Sequence, residues 1–347
     1  MKRHIITVVL ICALMVLVAP YALAQLEPDL NQPTEKRAQT GMKFLSVSLD
    51  ARAAGMGSAM ASVAQANSMA LFYNPASMGF MESKVDAAIG QTQWIVDINY
   101  NYGSLAFRPA DGALGVFGLS VVAVDYGEFQ GTIRADNELG YQDTGNFSPS
   151  ALAVGIGYSK SLSDRFSFGA NARYVEEKLT DNAPLSTGTN GTLVTEKAQA
   201  DVFAFDFGVL YKTGFRSLNF GVAARNFASD RTYAEESFEL PLTFQMGISM
   251  NAMDFTSADK NTHALLVSVD AVRPRDFNEF ISFGAEYTLA NLVSLRAGYA
   301  APNDENGISL GGGVQKTFGT TAFQVDYAYT DYGVFDNVNR FTFKFSF

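Results

Sequence analysis

The chain has 347 residues, a formal net charge of −10, one cysteine, 28 Phe and 15 Tyr. An acidic chain is a poor partner for nucleic acid, whose phosphates call for positive patches, and a lone cysteine supplies neither a disulfide framework nor a thiol metal cluster. No apolar run beyond residue 24 reaches the roughly 20 residues of a spanning helix, so a membrane form of the remainder has to be a closed β-barrel.

Residues 1–24 read as an export signal: Lys2, Arg3 and His4 give a charged start, Ile5 to Val18 an apolar core, and Ala22-Leu-Ala24 a small-residue cleavage site. Cys12 lies in that core behind Ile11, where a lipid-attachment signal wants a small residue, and the rest of the chain is free of cysteine. Residues 25–40, with Pro28, Pro33, Lys36 and Arg37, predict a flexible periplasmic leader. Residues 41–83 are dense in Ala, Ser, Gly and Met and do not alternate as strands do. They read as a plug or hatch folded into the barrel mouth, against the alternative of a periplasmic extension outside it. Asn74, Pro75 and Ala76 mark a turn or helix start, and a short amphipathic helix is expected around 64–73.

From residue 84 to 347 one unit repeats: about ten residues of alternating character, then a turn. Phe166, Phe168, Ala170, Ala172 and Tyr174 alternate with Ser167, Gly169, Asn171 and Arg173, and Ile281 to Leu289 and Val293 to Tyr299 follow the same rule. Strands are predicted near 84–94, 97–109, 113–126, 148–160, 164–178, 198–212, 217–228, 240–252, 262–272, 278–289, 292–300, 307–316, 320–330 and 339–347, an even set of fourteen as in bacterial barrels. Connections run short and long in turn: 109–112, 161–164 and 213–217 are tight, and 127–147, 179–197 and 228–239 are long. Long loops face outward in outer-membrane barrels, which puts both chain ends in the periplasm. The connection at 253–261 is longer than this rule wants and the one at Ile95–Val96 shorter.

A secreted β-sandwich also alternates. The aromatic content, the tyrosines near strand ends (Tyr100, Tyr126, Tyr158, Tyr211, Tyr299, Tyr332) and the ending Phe341-Thr-Phe-Lys-Phe-Ser-Phe347 favour the membrane barrel with its interfacial girdles. Phe341, Phe343, Phe345 and Phe347 share one face and read as a C-terminal signal for the barrel-assembly machinery. With the apolar face toward outer-membrane lipid, charges at the alternate positions point into the lumen. Arg173, Asp206 and Arg225 fall on successive strands, Glu286 and Arg296 on a neighbouring pair, and Asp326 and Lys344 on another. The register sets Asp206 nearly opposite Arg225 and Glu286 opposite Arg296, a charge ladder that stiffens the wall rather than selecting ions, because opposite charges cancel the field. Asp270 falls near Glu286 in this register with only Arg296 to offset both.

No catalytic site emerges. His263 opens a strand without an acid and a serine spaced around it, no metal-ligand cluster stands out, and Gly311-Gly-Gly313 lies in a strand, where it marks a kink or close wall contact rather than a phosphate cradle. No cofactor is expected.

Ala51-Arg-Ala-Ala-Gly-Met-Gly-Ser-Ala-Met60, Ala70-Leu-Phe-Tyr-Asn-Pro-Ala76, Ala151-Leu-Ala-Val-Gly-Ile-Gly-Tyr-Ser-Lys160, Phe238-Glu-Leu-Pro241, Leu295-Arg-Ala-Gly-Tyr299 and Asp326-Tyr-Ala-Tyr329 together resemble the PorV/PorQ family. That resemblance implies a Bacteroidetes outer-membrane barrel of fourteen strands, similar to the FadL fatty-acid transporters, with a role in type IX secretion. It implies partners as well: cargo C-terminal domains, the translocon and a cell-surface sortase. Phe72-Tyr73 before Asn74 and Ser77-Met78 after Ala76 stand where many relatives carry a tryptophan and a glycine. Two functions remain open, a docking and shuttle protein that uses loops 127–147, 179–197 and 228–239, and a channel for hydrophobic small molecules with residues 41–83 as hatch.

Overall fold

A computed structural model describes residues 40–347 apart from 181–183, 188–192, 196, 233–236, 261, 303–306 and 336. The expected signal peptide and leader up to residue 39 lie outside the described residues. Fourteen antiparallel strands close into one barrel: β1 (Val85–Gln93), β2 (Asn99–Phe107), β3 (Val116–Asp125), β4 (Ser150–Ser161), β5 (Phe166–Thr180), β6 (Ala198–Lys212), β7 (Asn219–Phe227), β8 (Thr243–Asn251), β9 (His263–Pro274), β10 (Phe280–Leu289), β11 (Val293–Ala301), β12 (Ser309–Phe318), β13 (Thr321–Asp331) and β14 (Asn337–Ser346). Each pairs with the next in sequence, and β14 returns to β1 from Asp86↔Ser346 to Gln93↔Asn339. The carbonyl of Phe347 accepts from the N–H groups of Lys84 and Val85 at 2.7 and 3.0 Å, so the last residue of the chain finishes the seam.

The period-2 pattern decides which face looks where. In β3 buried and exposed residues alternate along the whole strand, with Phe117, Leu119 and Val121 outside. Phe203, Phe205 and Phe207 do the same on β6 and Phe341 and Phe343 on β14. Large apolar groups thus cover the outer wall, where a soluble fold would carry polar ones, and lipid is the solvent that tolerates them. The inner wall carries Ala, Ser, Gly and the ionisable residues.

The long connections hold structure that alternation alone does not predict. Residues 126–149 carry a hairpin of Phe129–Arg134 against Tyr141–Phe147, in which Phe129 and Phe147 stack at 5.9 Å. Asn137 Oδ1 accepts from the N–H groups of Leu139 and Gly140 and so makes its turn. Smaller ribbons, Pro184–Thr187 with Leu193–Thr195 and Arg231–Thr232 with Ser237–Phe238, rise from the next two long connections.

At the other rim, the long turn after β8 has a physical reason. Asn251 caps a 3₁₀ turn at Ala252–Phe255, and Asp254 accepts from the Ser217 N–H at 2.9 Å, the Ser217 hydroxyl and Lys260 Nζ at 2.7 Å. It clamps two neighbouring turns together. The Lys260 and Ser217 hydrogen bonds pull the Asp254 carboxyl down from 3.8 to about 2. A carboxyl depressed in the fold contributes stability that is complete above its unfolded value and disappears as pH falls through the folded one. The thermal midpoint of the wild type in detergent is therefore expected to exceed that of Asp254→Asn at pH 6, with the gap closing between pH 4 and 2. A gap independent of pH would contradict the clamp.

Candidate functional site: the filled lumen

Residues 40–83 run between the inner faces of the strands, from the rim of the long connections to the rim of the short ones. At the first rim Thr40 makes a parallel bridge to Glu239, its hydroxyl donates to Asp276 at 2.6 Å, and Lys43 pairs with the same carboxylate. Ser48 and Asp50 follow. The Arg340 guanidinium donates to the Ser48 carbonyl at 2.8 Å, and Asp50 Oδ1 accepts from the Thr342 hydroxyl at 3.0 Å. The Tyr73 hydroxyl accepts from the Asp50 N–H at 3.0 Å.

Asp50 also N-caps a short helix, α1 (Ala51–Gly55), by accepting from the Arg52 N–H. The helix aims Arg52 at Glu286 on β10 as a bidentate fork of 2.8 and 2.7 Å. Farther on, the Ala61 N–H donates to Asp270 at 2.7 Å, and the Ser68 N–H and hydroxyl donate to Asp86 at 2.8 and 2.6 Å.

The expected amphipathic helix around 64–73 is instead a 3₁₀ turn, Ser68–Phe72, with Asn67 as its cap and every residue buried. Amphipathicity needs a wet side, and wall encloses this turn all round. Asn74, Pro75 and Ala76 start the last turn, Pro75–Phe80, with Asn74 Oδ1 capping the Ala76 N–H. The Asn74 amide donates to the carbonyls of Ala61 at 2.6 Å and Val209 at 3.1 Å, with Val222 at 3.4 Å. One side chain thus ties the segment to itself and to strands β6 and β7. Asn74→Ala strips these carbonyls of a donor in a buried place, an expected loss of about 2 kcal/mol. A lowered urea midpoint in refolded vesicles checks it, and an unchanged midpoint contradicts it.

The ionisable residues of the wall form two groups. In the first, Arg173 on β5 pairs with Asp206 on β6 at 2.6 Å and donates to Asn226 Oδ1 at 2.5 Å. The expected Asp206–Arg225 pair does not form. Asn226 adopts φ 64° and the register slips between Phe205 and Phe207, a bulge that brings the Asn226 N–H, rather than the Arg225 side chain, to Asp206 at 2.8 Å. Arg225 lies over the Tyr73 ring, 5.8 Å from its centre, and reaches the Leu45 carbonyl at 3.5 Å.

In the second group Glu286 and Arg296 are register partners on β10 and β11, 2.5 Å apart, and Arg296 also holds Asp326 on β13 at 2.7 Å. Lys344 on β14 lies 3.5 Å from the other Asp326 oxygen. Arg52 completes this group from the N-terminal segment, and sequence reasoning missed it. The available signal was a lone cation inside a run of Ala and Gly. Asp270 is not in the group: it stands opposite Ser282 and Gly247, and its partner is backbone of residues 40–83.

A second feature that strand patterning passes over is a set of inward glycines. A Cβ built at Gly208 would sit 2.0 Å from Asn74 Oδ1, at Gly221 2.0 Å from the Ala61 carbonyl oxygen, and at Gly298 1.9 Å from the Gly57 nitrogen. These strands lack side chains where the backbone of the segment comes to rest. Gly311 plays the same part toward Gly55, with a built Cβ 3.3 Å from its Cα, and so the glycine run on β12 is a close wall contact. One cavity beside the segment, between Phe44, Leu45, Phe72, Tyr73, Arg173 and Arg225, has about 20 Å³. That is space for one water.

A closed fourteen-strand wall with an apolar outer face, a polar inner face and long loops on one rim defines an outer-membrane β-barrel. Residues 31–272 match the family described as type IX secretion system protein PorV, and the chain belongs to that family. It is an outer-membrane protein associated with type IX secretion. No curated protein matches the chain. Among solved structures it is similar to the toluene transporter TodX of Pseudomonas putida, at 15% identity and a TM-score of 0.58 over 90% of this chain and 99% of that one. The toluene transporter TbuX of Ralstonia pickettii gives 15% and 0.56 over 86% and 97%. The monoaromatic hydrocarbon channel CymD gives 15% and 0.53 over 87% and 98%. At these identities the likeness is one of fold, the FadL-like barrel.

Proposed function

We propose that this barrel is a sealed docking platform: its long-loop face binds exported proteins by their C-terminal domains and passes them between the translocon and a surface sortase. The observation that carries the reading is the seating of residues 40–83. They act as a plug, fastened at the outer rim by Thr40 and Lys43, at mid-depth by Arg52 and Asn74, and at the far rim by continuity with β1, with a cavity of about 20 Å³ beside them. A toluene-sized solute does not fit that cavity, and the backbone of the segment lies against the inward glycines Gly208, Gly221 and Gly298, which weighs against the channel reading that the FadL-like fold invites. The loop hairpins supply aromatic and polar groups of the kind found at protein interfaces, with Phe129 and Tyr141 exposed. The two ionisable groups brace wall and plug. Phe341, Phe343, Phe345 and Phe347 serve the barrel-assembly machinery as an address and lipid as a surface. The reading gives His263 no catalytic part: it bonds the Tyr287 hydroxyl at 2.7 Å through Nδ1 as a rim residue.

Affinity purification from native membranes tests this. Recovery of proteins with type IX C-terminal domains, or of a sortase, is the expected result. Recovery with lipid alone, together with hydrocarbon or fatty-acid uptake that fails on deletion, would replace docking by transport.

A further inference from the structure

We infer that the lumen cavity between Arg173 and Arg225 is a chloride site, in which a monoatomic anion joins strands β5 and β7 to residues 40–83. The inference stands whatever the long loops bind.

Two guanidinium groups meet one carboxylate here. Arginine keeps its charge in a protein, so both contribute a full positive charge. Asp206 is 1% exposed, and its oxygens are taken. Oδ1 accepts from Arg173 at 2.6 Å and from the Asn226 N–H at 2.8 Å, and Oδ2 accepts from the Asn171 amide at 3.2 Å. Among the described residues Arg225 pairs with no carboxylate. It meets the Leu45 carbonyl at 3.5 Å and the Tyr73 ring, and the ionised side chains that act on it are Asp206 and a like charge, Arg173. One positive charge is left without a counter-ion, in a place where a lone charge is costly.

An orphaned donor marks the same place. Arg173 is 7% exposed, and its Nε is buried without an acceptor among the described residues. Buried donors are nearly always satisfied, by ordered water or an ion where protein offers nothing. Both arginines line the cavity, and Phe44, Leu45, Phe72 and Val122 line it with them. Its volume of about 20 Å³ admits one particle of water size. Water would satisfy the Nε–H and leave the charge standing. A carboxylate or a phosphate would answer the charge but brings several atoms. Chloride meets both demands: it is a single atom, accepts hydrogen bonds from any direction, and is hydrated weakly enough to rest against apolar side chains. Arg173 and Arg225 belong to the wall and Phe44, Leu45 and Phe72 to the plug, so the ion acts as a bolt between them.

The test unfolds the protein by heat in detergent, after chloride-free purification, in sodium chloride, sodium bromide or sodium gluconate. One ionic strength is kept throughout, so that screening is equal. A ligand held only by the folded state raises the midpoint as its concentration rises. The midpoint is expected to be higher in chloride and bromide than in gluconate. Arg225→Met is expected to abolish that shift while heat-modifiable migration is retained, and Lys316→Met, exposed on β12, to keep it. Equal midpoints of the wild type in the three salts overturn the inference. Crystals grown in bromide give a second arm that needs no variant. Anomalous density between Arg173 and Arg225 is expected, and bromide confined to the rims as an adventitious ion only, with water in the cavity, overturns it.

Discussion

Gly298→Val is expected to unseat residues 40–83 while the fourteen strands stay paired. A Cβ at this position would stand 1.9 Å from the Gly57 nitrogen and 2.3 Å from the Met56 carbonyl carbon. Both are backbone, so no side chain is available to swing away, and Gly57 itself holds φ +59° against Tyr299 on the same strand. Ordinary overpacking costs about 1–3 kcal/mol because neighbours relax; here relief requires the segment to lift off the wall. Limited trypsin digestion in detergent reads the result. The expectation is rapid cleavage at Arg52 in the variant and protection in the wild type, with heat-modifiable migration of the barrel retained in both. Gly312→Ala is the control: its nearest atom would be 3.8 Å away, and it is expected to change nothing. Equal protection of Gly298→Val and wild type would contradict the close seating.

Arg296→Ala is the second large effect. The Arg296 side chain is 1% exposed and neutralises Glu286 and Asp326 together. Replacing a whole buried ion group by apolar residues can be neutral, but deleting one member leaves charge buried without its partner, at about 3–5 kcal/mol. Asp326 would keep Lys344 at 3.5 Å and Glu286 would keep Arg52, so the loss should lie toward the lower end of that range. Urea unfolding in refolded vesicles measures it. Adding Asp326→Asn to Arg296→Ala is expected to recover part of the loss, since it removes one stranded carboxylate. A midpoint unmoved by Arg296→Ala would show that the group contributes nothing to the wall.

The strands were legible because lipid outside and polar contacts inside impose a strict period of 2 on each of them; all fourteen emerge within a few residues of their expected bounds. Glu286 and Arg296 also came from register, since a three-residue turn leaves the pairing of β10 and β11 little freedom. Asp206 and Arg225 did not. A bulge of one residue at Asn226 redirects both side chains, and an Asn with φ 64° leaves no periodic trace. The interior was harder still. Alternation says which residues face inward, but not that Gly208, Gly221 and Gly298 make room for a backbone, nor that Asp270 waits for the Ala61 N–H. Those contacts join residues more than a hundred positions apart, and only the closed wall brings them together. The loop hairpins escaped for another reason: they rest on local turn bonds such as those of Asn137, without a lipid face to impose a pattern.

Single-channel recording of the purified protein in planar bilayers tests the sealed barrel most directly. The wild type is predicted to insert without a steady conductance, and Gly298→Val to show openings as residues 40–83 loosen. A persistent open conductance of the wild type would contradict it, for then the lumen would be a path and the docking platform a channel.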